Sequence, residues 1–166
     1  MKKALPSKRR LLLLATVALI GGGIALAFSP FAHQQPEALA DGATVEVRVG
    51  NAELTATVAS APETQMRGVS VLSGLAEDRG MLFVFAEPRE LTFWMKDVTF
   101  PIDIMWIRDE RVVDVTANVP VAPPHTPDQQ LPRYSPKEPA DQVLETAAGW
   151  TGRHGVNVGD RVKLVR

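Results

Sequence analysis

The chain has 166 residues, with 18 basic side chains against 19 acidic ones and no cysteine. That length holds one domain plus a targeting segment. The missing thiol excludes a cysteine nucleophile, a disulfide framework, a cysteine-held zinc or iron–sulfur site and a lipidated cysteine. Lys2, Lys3, Lys8, Arg9 and Arg10 all precede the first long apolar run, so residues 41–166 carry 13 basic and 18 acidic groups, a net of −5. A domain of that sign attracts neither nucleic acid nor anionic lipid.

Residues 11–28 form an uncharged run of 18, mostly Leu, Ala, Ile and Val. It is at the short end of what spans a bilayer as a helix. The basic flank stays cytoplasmic and places everything after residue 28 outside. Residues 1–28 are therefore expected to be a signal peptide or a retained membrane anchor. Ala25-Leu26-Ala27 and Ala38-Leu39-Ala40 both offer small-x-small cleavage sites. Arg9-Arg10 runs straight into Leu11 without the polar spacing of a twin-arginine signal, so ordinary secretion is the expectation. Residues 29–43, with Pro30, Pro36 and two glutamines, read as a tether or processed leader. The expected location is periplasmic or otherwise extracytoplasmic, secreted if cleaved and inner-membrane anchored if not, with membrane contact through the N-terminal segment alone.

A single β-rich domain is expected over residues 44–166. In residues 44–50, Val45, Val47 and Val49 alternate with Glu46 and Arg48, as on a half-buried strand. Asn51-Ala52 closes a hairpin into residues 53–59, and Pro62 opens a short helix through Arg67. Residues 81–85 are apolar on both faces, as a central strand is. Residues 91–95 and 102–107 read as further core strands around a turn at 97–101, and residues 111–116 as the second arm of a hairpin. Residues 118–139 hold seven of the 13 prolines; a loop of that length is functional or disordered. A strand at 142–145, a short helix at 148–155 and a closing strand at 160–165 complete the chain. The fold class is mainly β within α+β: an antiparallel rolled sheet or partly closed barrel with two short helices.

Several stretches occur in a familiar order. They are Gly80-Met81-Leu82-Phe83-Val84-Phe85, Phe93-Trp94-Met95-Lys96-Asp97, Pro101-Ile102-Asp103-Ile104, Val143-Leu144-Glu145 with Ala148-Gly149, and Val158-Gly159-Asp160-Arg161-Val162. Over residues 45–165 the chain resembles the bacterial and archaeal family called domain of unknown function 192. The resemblance implies a small β-rich domain, often behind a signal or membrane segment, and implies no activity. Members often read Gly-Leu-Met after the arginine matching Arg67, where this chain has Gly68-Val69-Ser70. Many carry cysteines in the long loop, where this chain has Pro123-Pro124-His125.

Alternation in residues 102–107 puts Ile102, Ile104 and Trp106 on one face and Asp103, Met105 and Ile107 on the other. Asp103 thus projects from an apolar face, where a carboxylate must be paired or richly hydrogen-bonded. It either accepts backbone N–H groups and pins the 97–101 turn, or faces a pocket. Thr92, Trp94 and Lys96 share a face. Lys96 is either a cation for an anionic ligand or a surface lysine lying over Trp94, while Phe93 and Met95 suit a core. Glu145 either pairs with Arg67 or Arg79 or joins Asp103 or Asp97 as an acid/base couple. The three histidines, His33, His125 and His154, have no metal-ligand spacing, so neither metal nor cofactor is expected. The leading expectation is a cell-envelope module binding a small anionic ligand or a protein partner. Its cleft would be lined by Thr92, Trp94, Lys96, Asp97 and Asp103, with the 118–139 loop as a lid. The alternatives are an envelope hydrolase or lyase using Asp103 and Glu145, and a structural accessory protein.

Overall fold

The alternating valines decide the first pairing. In the computed structural model, which describes residues 39–165, β1 (Thr44–Val49) and β2 (Ala52–Ala59) form a hairpin through Gly50-Asn51. Val45, Val47 and Val49 lie opposite Ala56, Leu54 and Ala52, so one face is apolar throughout. Gly50 takes φ +58° in this turn, a left-handed conformation open to glycine without cost. The basic N-terminus, the apolar run and most of the tether lie outside the described residues. Among the described residues, no helix is long and apolar enough to cross a membrane.

After β2 come α1 (Pro62–Arg67), a 3-10 turn at Gly68–Val71, and β3 (Arg79–Arg89). The remaining elements are β4 (Ile102–Arg108), β5 (Arg111–Val119), β6 (Ala140–Ala147), α2 (Trp150–Arg153) and β7 (Val162–Val165). All seven strands join one sheet in the order β5-β4-β6-β3-β2-β1-β7. Every pairing is antiparallel except β2 with β3, which is parallel. Residues 60–78 provide the crossover that a parallel pair requires, so the sheet is mixed where an antiparallel one was expected.

The sheet curls until its two edge strands meet at one corner. There Val112 N–H donates to the Asp160 carbonyl at 3.0 Å and Val162 N–H to the Glu110 carbonyl at 2.8 Å. The result is a half-barrel with two short helices. All seven strands contribute to the concave core, among them Val47, Leu54, Leu82, Met105, Leu144 and Val162. Trp150 of α2 packs into this core and donates its indole N–H to the Glu77 carbonyl at 2.9 Å.

A second core covers the other face of β3, β4 and β6, built on Met81, Phe83, Ile104, Trp106 and Val143. Residues 91–95, expected as a strand, pass over this face instead. Their ladder contact is a single bridge, Phe93 to Tyr134. The reason is that both neighbours of β3 are already β2 and β6. Phe93 instead packs edge-on against Phe83 and Trp106, with ring centroids 4.9 and 5.4 Å away.

Candidate functional site

The segment crossing the second face does not seal it. Between this segment, α1 and the sheet lies a cleft of about 440 Å³. Its walls come from three places: Gln65, Arg67 and Val69 on the α1 side, Phe83, Phe85 and Arg89 from β3, and Leu91, Thr92, Trp94 and Lys96 from the crossing segment. Glu145 of β6 also lines it.

Local interactions fix each wall. The Asp41 carboxylate accepts the N–H groups of Ser60 and Ala61 at 2.8 and 2.9 Å and the Thr64 hydroxyl at 2.7 Å, anchoring the start of α1. These donors hold the Asp41 carboxyl below its usual range, the Ala61 N–H most of all. Gln65 then ties α1 to the sheet by donating to the Val84 carbonyl at 2.8 Å and the Ala59 carbonyl at 3.3 Å. At Gly80 an added Cβ would stand 2.8 Å from the Glu145 carbonyl oxygen and 2.9 Å from Leu54, so a glycine is required at this point of the β3–β6 ladder.

Alternation carries Glu145 to the cleft. Val143 belongs to the second core and Leu144 to the concave one, and Glu145 returns to the face of its ladder partners Met81 and Ile104. Its residue exposure is 4%, and its Oε2 has no hydrogen-bond partner. Burial alone pushes its carboxyl up to about 8. At neutral pH it is therefore an uncharged acid, able to donate one hydrogen bond and to accept others. No ion pair to Arg67 or Arg79 forms among the described residues, and Arg79 meets Asp78 instead.

Three of the five residues singled out in the sequence, Thr92, Trp94 and Lys96, line this cleft. Thr92 shares a hydrogen bond with Ser135 at 3.1 Å, and Lys96 is paired with Asp128. That partner raises the Lys96 ammonium above its ordinary value. The Arg133 guanidinium covers the Trp94 ring at 3.9 Å. Asp97, in a left-handed conformation at φ 59°, borders an adjacent depression of about 450 Å³ together with Lys96, His125 and Asp128. The long loop lines that depression and contributes no residue to the cleft, so it does not cover the cleft as a lid.

Asp103 is elsewhere altogether. It is fully buried on the concave side of β4. Its Oδ1 accepts the N–H groups of Asn118 and Gly149 at 2.7 and 2.9 Å, and its Oδ2 accepts the Thr151 N–H and hydroxyl at 2.9 and 2.6 Å. It pins the end of β5 to the start of α2, and the 97–101 turn takes no part. Asp103 and Glu145 project from opposite faces of the sheet, so they share no cleft in which to act as an acid/base couple. Gln65, Arg67, Phe83, Phe85 and Arg89 were not foreseen in the site. The first two sit on a helix with no buried residue, and the sequence carries no signal of where that helix docks.

The model of the domain of unknown function 192 family, described as an uncharacterized ACR, matches residues 45–164. Among solved structures, a protein from Sinorhizobium meliloti 1021, named as a candidate transcription regulator, is 32% identical with a TM-score of 0.65. That match covers 75% of this chain and 95% of the other. A protein of unknown function from Novosphingobium aromaticivorans DSM 12444 is 26% identical with a TM-score of 0.64, over 72% of this chain and 84% of that one. No curated protein matches the chain.

Proposed function

The chain belongs to the domain of unknown function 192 family, and we propose that this member is an exported module whose cleft binds a small ligand with an apolar body and an anionic group. The observation that carries the reading is Glu145: a buried carboxyl with an unpartnered oxygen, on a residue that lines a cleft walled by aromatic rings. A buried polar group without a partner calls for an explanation; Asp141 Oδ1 and Thr146 Oγ1 are unpartnered as well, but of the three residues Glu145 is the one that lines the cleft. Because burial keeps Glu145 neutral, it does not repel an anion drawn to Arg67 and Lys96 at the cleft wall. The export half of the reading rests on residues 1–28, where a basic start precedes the apolar run.

Two other readings have less behind them. A role in transcription, raised by the name of the Sinorhizobium meliloti protein, sits poorly with a net charge of −5 over residues 41–166. A protein partner would find Met66 and Val71 exposed by 80% and 61% beside the cleft, but scattered apolar residues of that kind are ordinary on a surface.

The test is a thermal-shift screen of the purified protein against aryl and alkyl carboxylates, sugar acids and nucleotides. A stabilising compound should lose most of its effect in Arg67→Met and Lys96→Met. It should keep that effect in Asp103→Asn, which replaces an acceptor of two hydrogen bonds with a donor and lowers stability by about 3 kcal/mol. Stabilisation that survives both cation replacements would remove the cleft as the site.

A further inference from the structure

No protein group bonds the Oε2 of Glu145, and the nature of its surroundings specifies what a ligand would have to bring. We propose that the inner end of the cleft receives an ammonium group, so that the ligand is a small zwitterion: amine on Glu145, apolar body against the rings, anion toward Arg67 and Lys96. This deepens the reading of the cleft as a binding site and rests on it.

Two independent observations point the same way. The first is the unpartnered Oε2 of a side chain with 4% exposure; an ammonium brings such an oxygen a charged N–H donor. The second is the lining. Phe83, Phe85, Phe93 and Trp94 all border the cleft, and two of these rings already carry a cation, Arg89 over Phe85 at 4.5 Å and Arg133 over Trp94 at 3.9 Å, as aromatic faces do.

The charged groups around the cleft sort by depth. Arg67 on α1, Arg89 on β3 and Glu90 just beyond it are exposed, and Lys96 on the crossing segment is half-buried against Asp128. None of them perturbs Glu145, whose shift arises from burial. An anionic group is therefore met by cations at the mouth, whereas the floor holds an acid with no counter-charge. When the ammonium arrives it keeps its own protons, and the Glu145 carboxyl releases its proton to solvent as it becomes the counter-ion.

The experiment is isothermal titration at neutral pH with three probes sharing one ring: L-phenylalanine, 3-phenylpropionate and phenethylamine. Each is run in two buffers of different ionisation enthalpy, on the wild-type protein and on Glu145→Gln. L-phenylalanine should bind at least about tenfold more tightly than 3-phenylpropionate, since the amine pairs with a buried charge. Binding of either amine should release about one proton to the buffer. Glu145→Gln should lose both the preference and the proton release while still binding 3-phenylpropionate. Equal or tighter binding of 3-phenylpropionate by the wild type would overturn the ammonium assignment and leave the anion-binding cleft standing. Amine binding that is indifferent to Glu145→Gln would overturn the assignment as well. Failure of all three probes at millimolar concentration would remove both the inference and the binding site beneath it.

Discussion

Asp103 and Glu145 lie one ladder position apart on adjacent strands, opposite Thr146 and Ile104 respectively, and the sheet treats them as opposites. Asp103 receives four hydrogen bonds, and those bonds offset the cost of its burial. Glu145 lacks such partners and is held neutral. The period-two pattern exposes the oddity of Asp103, an acid among Met105 and Ile107. It does not reveal the donors, because Gly149 and Thr151 stand 46 and 48 residues downstream. For Glu145 the pattern says even less, since a carboxylate at a strand end reads as exposed. The environment of Glu145 makes stability depend on pH in a definite direction. Its carboxyl rises from an ordinary 4.5 to about 8 in the folded protein. Across that interval the unfolded chain binds fewer protons than the folded one, so stability falls as pH rises. The contribution is complete below 4.5 and gone above about 8. Glu145→Gln keeps the neutral shape and removes the titration. Relative to that variant, the wild-type Tm should therefore fall by several degrees between those two pH values. Parallel curves for the two proteins would mean that Glu145 is already ionised when folded.

Most strands are legible in the sequence because one periodicity governs each of them. The valines of β1 and the doubly apolar runs of β3 and β4 leave one solution apiece. Residues 91–95 carry the same pattern without becoming a strand: Leu91 and Met95 are buried and Phe93 faces the sheet, but both edges of the preceding strand β3 are taken by β2 and β6. Pattern reports burial, whereas pairing depends on the order of strands around the sheet. The helix α1 shows the converse. It has six residues and none of them is buried, so its position is set by Asp41 from outside and by the bond of its own Gln65 to the Val84 carbonyl. Leu39, just upstream, is buried in the concave core, and the Gly42 N–H donates to the Val58 carbonyl at 2.9 Å. The ordered domain therefore includes residues read as tether, and the two small-x-small sites are not equivalent for the protein they would leave. A chain beginning at Asp41 lacks Leu39, whose burial contributes about 2 kcal/mol, whereas one beginning at Phe28 retains it. Urea unfolding of the two chains should show a lower midpoint for the shorter one at an unchanged slope. Coincident midpoints would show the Leu39 contact to be dispensable.

At the scale of the molecule, the proline-rich connection between β5 and β6 is a strap along the crossing segment. Phe93 and Tyr134 exchange both backbone hydrogen bonds, at 2.8 and 2.9 Å. Asp128 holds Lys96 through its carboxylate and accepts from Arg133 through its carbonyl at 3.2 Å. Further along, Asp114 accepts the Lys137 N–H at 3.1 Å and its ammonium at 3.2 Å. Seven prolines and a long polar stretch identify a connection of unusual length, but the contacts that fasten it are between distant residues and have no local signature. The fastening also bears on how a ligand enters. The strap supports the wall carrying Thr92, Trp94 and Lys96 from outside, so the cleft is open without any movement of the strap. Hydrogen exchange distinguishes this arrangement from a lid, because local opening reports the contacts that hold each amide. The Phe93 and Tyr134 amides should be protected to a degree approaching those of β6, while the amides of Val121, Ala122 and His125 exchange freely. A cleft ligand should slow exchange at residues 92–96 and leave residues 121–127 unchanged. New protection across 121–127 on ligand addition would show that the connection closes over the site after all.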